Sequence, residues 1–369
     1  MKEILREIFT AVGVPCAIML FTSYVDKTPI EKYDLKSGVN ITLFEDAQNI
    51  QNDSLSKEEQ KTIDKISNEG CSGININQQY YQDILSSSEI DSTSKFSDSH
   101  LEQILNYAQS KGLSAAIRPL LETRDEAPRN QIMPADVDGW FQDYSRILTK
   151  LCKIESSEKF DIYLGSELDE LLVAHPEKFN ELAQNIRNSG FKGRIIHSII
   201  FNCNSDTSKI LLLNKIPVDV IGIDFYVRMQ NTELPDSMKF YETKYYLNEI
   251  FSKSEKPVLI TELGYRSVRD NNGSMIFDYR FEGYVDYDMQ KKHYDNFIKA
   301  LTSKEFINDK NLGVYFWITD YPSYVTDINL SKYHRQTGYS YFNKPAEEIV
   351  KKYNEDRIFI KYPKGNIKQ

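Results

Sequence analysis

Two glutamates stand at the ends of short apolar runs, where side chains of this type can carry out acid–base chemistry. Glu167 follows the run 161–166, and Glu262 follows the run 257–261. Short apolar runs of this kind are typical of buried parallel strands. In a (β/α)₈ barrel the carboxyl ends of all strands meet on one face, so carboxylates at strand ends converge there. Such a pair hydrolyses glycosides, with one group as general acid/base and the other as nucleophile.

A glutamate at a strand end also has a simpler interpretation, as a surface residue stabilised by the dipole of the following helix. Three features favour a catalytic role for Glu167 over this simpler interpretation. Ser166 precedes Glu167 and can hold a sugar hydroxyl, Glu262 recurs in register three strands later, and Trp317, one of 2 tryptophans, ends the last apolar run. We therefore predict that Ser166 and Trp317 contact a sugar ring.

Eight apolar runs alternate with helical stretches along the chain. The runs span residues 38–44, 72–77, 114–119, 161–166, 194–201, 219–226, 257–261 and 313–318. Capping patterns at 56–59 and 99–102 predict helix starts, and Gly70, Gly112 and Gly190 predict helix ends. A repeated strand–helix rhythm of eight units indicates an α/β protein with a (β/α)₈ TIM barrel, which we place at residues 37–355.

Composition excludes several classes of function. A net charge of −9 argues against nucleic acid as a partner. The 4 cysteines are scattered without metal-binding spacing, so we predict free thiols and no metal site. No glycine-rich phosphate loop is present, so we predict no cofactor. The expected partner is a polysaccharide or oligosaccharide, which the 24 tyrosines and 19 phenylalanines suit.

The N-terminal region differs from the rest of the chain. Residues 8–25 carry no charge, and eighteen residues are about the shortest helix that spans a bilayer. We predict that residues 1–36 form a signal or membrane-anchor segment with a linker, and that the protein is exported and anchored at the cell surface. Secretion after signal cleavage, or a buried helix in a cytoplasmic protein, are the alternatives. Residues 356–369 form a short basic tail.

The chain resembles glycoside hydrolase family 113, a family of barrel glycosidases, over most of its length. The segments that carry the resemblance are 257–267 (PVLITELGYRS), 140–144 (WFQDY), 218–226 (VDVIGIDFY), 337–339 (TGY) and 343–347 (NKPAE). The resemblance implies a retaining enzyme that acts on β-1,4-mannan-like chains. It also implies that Glu167 is the acid/base and Glu262 the nucleophile.

The resemblance extends to supporting residues, with two departures. Ser166 replaces the asparagine that usually precedes the acid/base and touches the sugar 2-hydroxyl, and the segment 77–81 lacks an expected tryptophan. Asn77 would then belong to a weaker or different glycan platform. Tyr226 resembles the tyrosine that hydrogen-bonds the nucleophile, the alternative being a packing residue at the barrel rim.

Three further residues are candidates from their positions. Arg118 can hold the nucleophile ionised through a charge-assisted hydrogen bond, or it can form a structural ion pair. Arg129 and Asn202 follow the third and fifth strands and can contact sugar hydroxyls. Two other functions stay open: a non-catalytic, surface-anchored carbohydrate-binding protein on a hydrolase barrel, and a hydrolase that processes the organism's own wall or exopolysaccharide.

Overall fold

Eight parallel strands close into a barrel in this computed structural model, which describes residues 31–42, 55–92, 97–156, 159–202, 207–226, 236–271, 275, 283–317 and 338–361. The strands follow one another around the barrel in chain order, and the last pairs with the first. They are β2 (Lys36–Thr42), β3 (Gly73–Gln82), β4 (Ser114–Thr123), β5 (Asp161–Ser166), β6 (Ile195–Phe201), β7 (Val220–Phe225), β8 (Val258–Leu263) and β11 (Asn311–Phe316). All eight predicted runs form barrel strands, so the TIM-barrel prediction is confirmed.

Helices separate the strands. They are α1 (Lys57–Asn68), α2 (Asp98–Ser110), α3 (Val137–Leu151), α4 (Asp169–Ala174), α5 (Pro176–Asn188), α6 (Ser208–Lys215), α7 (Asp236–Lys253), α8 (Tyr287–Leu301) and α9 (Ala346–Asp356). Their amphipathic sequences turn apolar residues towards the strands, which is the usual stabilisation of such helices.

The predicted helix boundaries are mostly confirmed. Ser56 forms a complete capping box with Glu59 at the start of α1, and Gly70, Gly112 and Gly190 have φ values of 79°, 78° and 92°. Glycine reaches this left-handed region without a Cβ penalty. The predicted cap at Ser99 is wrong, because the side chain of Ser97 accepts the backbone N–H of His100 and the helix begins at Asp98.

The interior of the barrel combines apolar packing with hydrogen-bonded polar groups. One buried cluster contains Ala116, Tyr163, Ile196, Val220, Leu259 and Tyr315. Above it, the side-chain amide of Asn75 donates to Asn40 at 3.0 Å and to the Tyr163 hydroxyl at 2.7 Å. These bonds satisfy polar groups that burial would otherwise penalise. His197, in the middle of β6, is wholly buried. Among the described residues neither of its ring nitrogens has a hydrogen-bond partner.

Strands β3 and β4 extend beyond the other strands. The sequence predicted that they end at residues 77 and 119, but they remain paired as far as Gln82 and Thr123. Pro119 was read as a strand end. It is accommodated because β4 pairs with β5 only at Ala116 and Ile117, which leaves the later residues with one open edge. We call residues 78–82 with 119–123 the β3–β4 ribbon.

Two short sheets lie outside the barrel. Strand β1 (Glu31–Asp34) pairs antiparallel with β12 (Ile358–Lys361), and β9 (Val268–Arg269) pairs with β10 (Tyr284–Val285). The chain divides into two compact units, one of residues 35–357 and the other of residues 1–34 with 358–369. The sequence-based domain boundaries were 37 and 355.

Two further predictions concern the N-terminal segment and the cysteine thiols. The predicted anchor at residues 8–25 lies outside the described residues. Within the described part of the chain, no helix combines the length and apolar character needed to cross a membrane. Cys71 and Cys152 are free thiols as predicted, whereas Cys16 and Cys203 fall outside the described ranges.

Candidate active site

Glu167 occupies a strained backbone position directly after β5. Its φ is 54°, in the left-handed region that residues other than glycine rarely adopt. Its backbone N–H donates to the Ser198 carbonyl at 2.9 Å, which anchors the turn between β5 and α4. Strain of this kind costs on the order of 1–3 kcal/mol and persists where the surrounding structure enforces it, often at functional sites.

Glu262 lies within β8, and its carboxylate is held on both oxygens. Arg118 forms an ion pair with Oε1 of Glu262, and the Tyr226 hydroxyl donates a hydrogen bond to Oε2. The side chain of Glu262 is only 4% exposed. Both predicted contacts of the nucleophile candidate are therefore present in the structure.

The two glutamates face each other across a short gap. One carboxylate oxygen of Glu167, one of Glu262 and one of Asp224 all lie within 4.8 Å of one another. The three side chains come from the carboxyl-terminal parts of β5, β8 and β7, as the barrel topology requires. A bond that lies between Glu167 and Glu262 is accessible to both carboxyl groups.

Arg118 is the centre of the buried network beneath these carboxylates. Its guanidinium is wholly buried and pairs with Asp224 at 2.7 Å as well as with Glu262. It also donates to the hydroxyls of Ser166 at 2.9 Å and Ser198 at 3.2 Å. Buried charges need this degree of pairing to be stable. The Ser166 hydroxyl is thus bonded to Arg118, and Ser166 is 2% exposed.

Arg129 reaches Glu167 from the loop after β4. Its Nη2 donates to Glu122 at 2.6 Å, and its Nε lies 3.7 Å from Oε2 of Glu167. The remaining nitrogen, Nη1, is buried and has no hydrogen-bond partner within the described part of the chain. A charged donor in this state is suited to a ligand oxygen.

The other predicted site residues lie around this centre. The Trp317 ring lies 5.9 Å from the guanidinium carbon of Arg118. Asn77 is wholly buried and stands opposite Arg118 in the pairing of β3 with β4. Asn202 follows β6 directly and is half-buried.

Burial and neighbouring charges give the carboxyl groups of Glu167 and Glu262 different pKa values. Burial raises the pKa of Glu167 well above its usual value, the Glu262 charge raises it further, and Arg129 opposes both effects. Burial also raises the pKa of Glu262, to about 7, because Arg118 and the Tyr226 hydroxyl bond oppose only part of this effect. When the pair holds a single proton, that proton therefore resides on Glu167 and Glu262 carries the negative charge.

Asp224 is the component of the site that the sequence analysis missed. It is wholly buried in β7, where Oδ2 accepts from Arg118 and Oδ1 accepts from the Thr261 hydroxyl at 2.7 Å. An aspartate inside an apolar strand run was the available signal, because buried charges are rarely tolerated without a partner. The three carboxylates have the spacing of cation ligands, but the Arg118 guanidinium already supplies the positive charge between Asp224 and Glu262.

Comparisons with known proteins agree with this architecture. Residues 48–344 match Glycoside Hydrolase Family 113. No curated protein sequence matches the chain.

Several solved structures are similar to it. A GH113 β-1,4-mannanase is 18% identical, with 86% of this chain and 98% of that chain covered and a TM-score of 0.68. The GH113 β-mannanase of Alicyclobacillus acidocaldarius, solved in complex with ManMIm, is 17% identical, covers 87% and 97%, and has a TM-score of 0.66. A single-site variant of GH5_18 from Bifidobacterium longum subsp. longum, in complex with Manβ1-4GlcNAc, is 14% identical, covers 87% and 78%, and has a TM-score of 0.56. At these identities the likeness establishes the fold.

Proposed function

Because this chain belongs to glycoside hydrolase family 113 and is a glycoside hydrolase, we propose that it is a retaining enzyme that cleaves β-1,4-mannan or a related β-linked hexose polymer. The observation that carries the retaining mechanism is the approach of Glu167 and Glu262, whose nearest carboxylate oxygens lie within 4.8 Å. Retaining enzymes place the two groups about 5–5.5 Å apart, whereas inverting enzymes leave about 6.5–9.5 Å for a water molecule.

The different environments of the two glutamates give them different roles. Glu262 is ionised beside Arg118 and attacks the anomeric carbon, while Glu167 protonates the departing glycosidic oxygen. A glycosyl ester on Glu262 results. Glu167, now ionised, removes a proton from a water molecule as that water attacks the anomeric carbon and displaces the Glu262 carboxylate. This second displacement restores both groups and retains the anomeric configuration.

Two contacts prepare Glu262 for attack. Arg118 favours its ionised form through Oε1, and the Tyr226 hydroxyl bond to Oε2 fixes the orientation of the carboxylate. Arg129 contacts Glu167 and is itself fixed by its bond to Glu122. Preorganised donors of this type stabilise developing charge because they need no reorientation during the reaction.

The mannan proposal rests on similar solved structures rather than on the carboxylate geometry. Two similar structures are described as β-mannanases, and a third holds a Manβ1-4GlcNAc ligand. The buried Ser166 and the absence of a tryptophan in the segment 77–81 concern sugar contacts rather than the two carboxylates. A panel of β-mannan, glucomannan, β-glucan, xylan and chitin, with sizing of the products, tests the substrate. Release of sugar from a non-mannan polymer alone would contradict it.

Glutamine substitutions test the two roles separately. Glu262→Gln should lose nearly all hydrolysis, because the amide cannot form the glycosyl ester. Glu167→Gln should lose activity on polysaccharide but retain part of the first step on an aryl glycoside, since a good leaving group needs little protonation. Added azide should then speed turnover of the intermediate. Equal losses on both substrates without azide rescue would reverse or remove these roles, and full activity of either variant would mean that the catalytic residues lie elsewhere in the protein.

The cellular location is a separate proposal. The uncharged run 8–25 supports export with retention at the membrane, where a polysaccharide substrate is accessible. Fractionation of cells that express the full chain tests this. Recovery of the intact protein, with residues 8–25 present, in the soluble cytoplasmic fraction would contradict it.

A further inference from the structure

The β3–β4 ribbon continues the floor of the active site outwards. Side chains alternate between the two faces of a strand, so Gln79 and Tyr81 of β3 lie on the same face as Asn77. Opposite them in β4, Glu122 lies on the same face as Arg118. Gln79, Tyr81 and Glu122 are half-buried, whereas Leu120 on the same face and the alternating residues Gln78, Tyr80, Gln82, Leu121 and Thr123 are buried. Because this face continues the one that carries Asn77 and Arg118, it lies on the cleft side of the barrel.

A chain of contacts joins this face to the catalytic pair. Arg129 lies beside Glu167 and is bonded to Glu122 at 2.6 Å, and Glu122 stands directly opposite Tyr81 in the ribbon. Glu122 lies four positions beyond Arg118 in β4, which corresponds to about 13 Å along an extended strand. Tyr81 is thus beyond the first sugar position but in line with the cleft.

A concave pocket of about 470 Å³ lies at the outer end of the ribbon. Its wall includes the Tyr81 ring, and the Arg124 guanidinium lies 5.2 Å from the centre of that ring. Arg124 is in turn held by Asp91 at 2.7 Å and Asp83 at 3.4 Å. An aromatic surface beside fixed, orienting polar groups is typical of a small-ligand site.

The loop that closes this pocket is held in place by many hydrogen bonds. Gln82, which accepts from the Trp140 indole at 3.0 Å, donates its amide to the Ile84 carbonyl at 2.7 Å. The backbone N–H of Met133 donates to the Leu85 carbonyl, and that of Asp91 donates to the Tyr81 carbonyl at 2.8 Å. The pocket is therefore preformed, so binding there costs little additional ordering of the loop.

The charges of the pocket limit the ligand. One arginine faces the carboxylates of Asp83, Glu89 and Asp91, so an anionic ligand would be repelled. The side chain of Asp83 is 82% exposed and can accept hydrogen bonds from hydroxyl groups. The pocket suits a neutral, hydroxyl-rich ring with one apolar face, since such a face loses water favourably against an aromatic ring.

From these observations we propose that the pocket formed by Tyr81, Asp83, Asp91 and Arg124 is a distal subsite for an uncharged hexose residue of the same glycan chain. This inference rests on the proposed glycosidase function. It assigns the β3–β4 ribbon to binding long substrates, and Tyr81 to an aromatic contact with the distal sugar.

The test compares long and short substrates. We would measure kcat/KM for a β-1,4-manno-hexasaccharide and for an aryl β-mannoside that is too short to reach the pocket. For Tyr81→Ala the ratio of the two values should fall about tenfold, as expected for the loss of one aromatic contact. Tyr241→Ala removes a tyrosine that is 66% exposed on α7, and this control should leave the ratio unchanged.

Two outcomes would overturn the subsite: an unchanged ratio in Tyr81→Ala, or equal loss on both substrates, which indicates a structural role. If the wild-type protein cleaves neither mannoside, the proposed function fails independently, and affinity electrophoresis in gels that contain mannan or another neutral glycan of the panel decides the subsite. Weaker retardation of Tyr81→Ala than of Tyr241→Ala would support it. Equal retardation of the two variants, or none for the wild type in any gel, would overturn it.

Discussion

Arg118 is shared between two carboxylates, and this sharing controls the electrostatics of the site. Its guanidinium pairs with Asp224 and Glu262 at once, and both charges raise the pKa of Arg118. Asp224 also contributes to the raised pKa values of Glu167 and Glu262. Asp224, which touches no substrate in the proposed mechanism, thus helps to set the pH range in which both glutamates work.

Substitution of Asp224 should move the pH profile of the enzyme. Asp224→Asn removes a negative charge within 4.8 Å of the carboxylates of Glu167 and Glu262. The ionised forms of both glutamates then become easier to reach, so both pKa values fall. We expect the acidic and alkaline limbs of the plot of kcat/KM against pH to shift to lower pH.

Thr261→Val provides the matched control for Asp224→Asn. It removes the hydroxyl that donates to Oδ1 of Asp224 but keeps the carboxylate charge. We expect a smaller shift of both limbs than in Asp224→Asn. Limbs that stay in place in Asp224→Asn, while kcat falls, would mean that Asp224 only positions Arg118.

Arg129 should have the opposite effect on Glu167. Arg129→Met removes the cation that lowers the pKa of Glu167 and leaves Glu122 without its ion-pair partner. The pKa of Glu167 should therefore rise, and the alkaline limb should shift to higher pH. Arg129→Lys should restore part of the wild-type profile. A shift to lower pH in Arg129→Met would contradict the assignment of the proton to Glu167.

At the scale of helices and strands, the sequence was informative where one local pattern determined the structure. Such patterns are the eight apolar runs, the Ser56 capping box and the three glycines that follow helices. Each depends only on the conformation of the nearby backbone. The ends of β3 and β4 were misjudged because they depend on pairing partners. A proline is usually excluded from a central strand because it lacks a backbone N–H. Pro119 is tolerated because β4 is no longer paired with β5 at this position.

The same distinction explains which parts of the site were predicted. Glu167 and Glu262 stand at strand ends, which periodicity locates. Asp224 owes its role to contacts with Arg118 and Thr261, which are 106 and 37 residues away along the chain. Only the closed barrel brings these groups together, so pattern analysis of a single strand could not assign them.

The junction of α1 with α9 should make stability depend on pH. Glu69, at the end of α1, donates a hydrogen bond to Glu347 of α9, and burial together with this neighbour raises the pKa of Glu69 from 4.5 to about 8. The folded state therefore retains a proton that the unfolded state releases above about pH 4.5. The free energy of unfolding should fall as pH rises through this window, up to about pH 8.

Urea unfolding of wild type and Glu69→Gln at about pH 5 and about pH 9 measures this effect. Other buried carboxyl groups, such as Glu167 and Asp169, also have raised pKa values, so the wild type alone is not diagnostic. The decrease in stability between the two pH values should be smaller in Glu69→Gln. Equal decreases in both proteins would show that Glu69 is ionised across the whole range.

On the scale of the whole molecule, the barrel unit is closed by its own ends. The backbone N–H of Leu35 donates to the Arg357 carbonyl at 3.2 Å, and the Tyr353 hydroxyl donates to the Lys36 carbonyl at 3.0 Å. Asn354 of α9 donates to the Glu69 carbonyl at 2.7 Å. The last helix therefore holds the first strand of the barrel in place, and residues 35–357 contain all of these contacts.

Two truncations that differ in one helix test this closure. A chain of residues 35–357 should fold and retain the kcat/KM of the full protein, because the proposed catalytic residues and the contacts that close the barrel lie within it. A chain of residues 35–345 lacks α9. It loses the buried side chains of Val350 and Tyr353, which together contribute about 3–6 kcal/mol, and it leaves the Glu69 carbonyl without the Asn354 amide. We expect a much lower melting temperature or failure to fold, measured by circular dichroism. If 35–357 also unfolds, the segments outside it stabilise the barrel, and the division of the chain into two independent units is wrong.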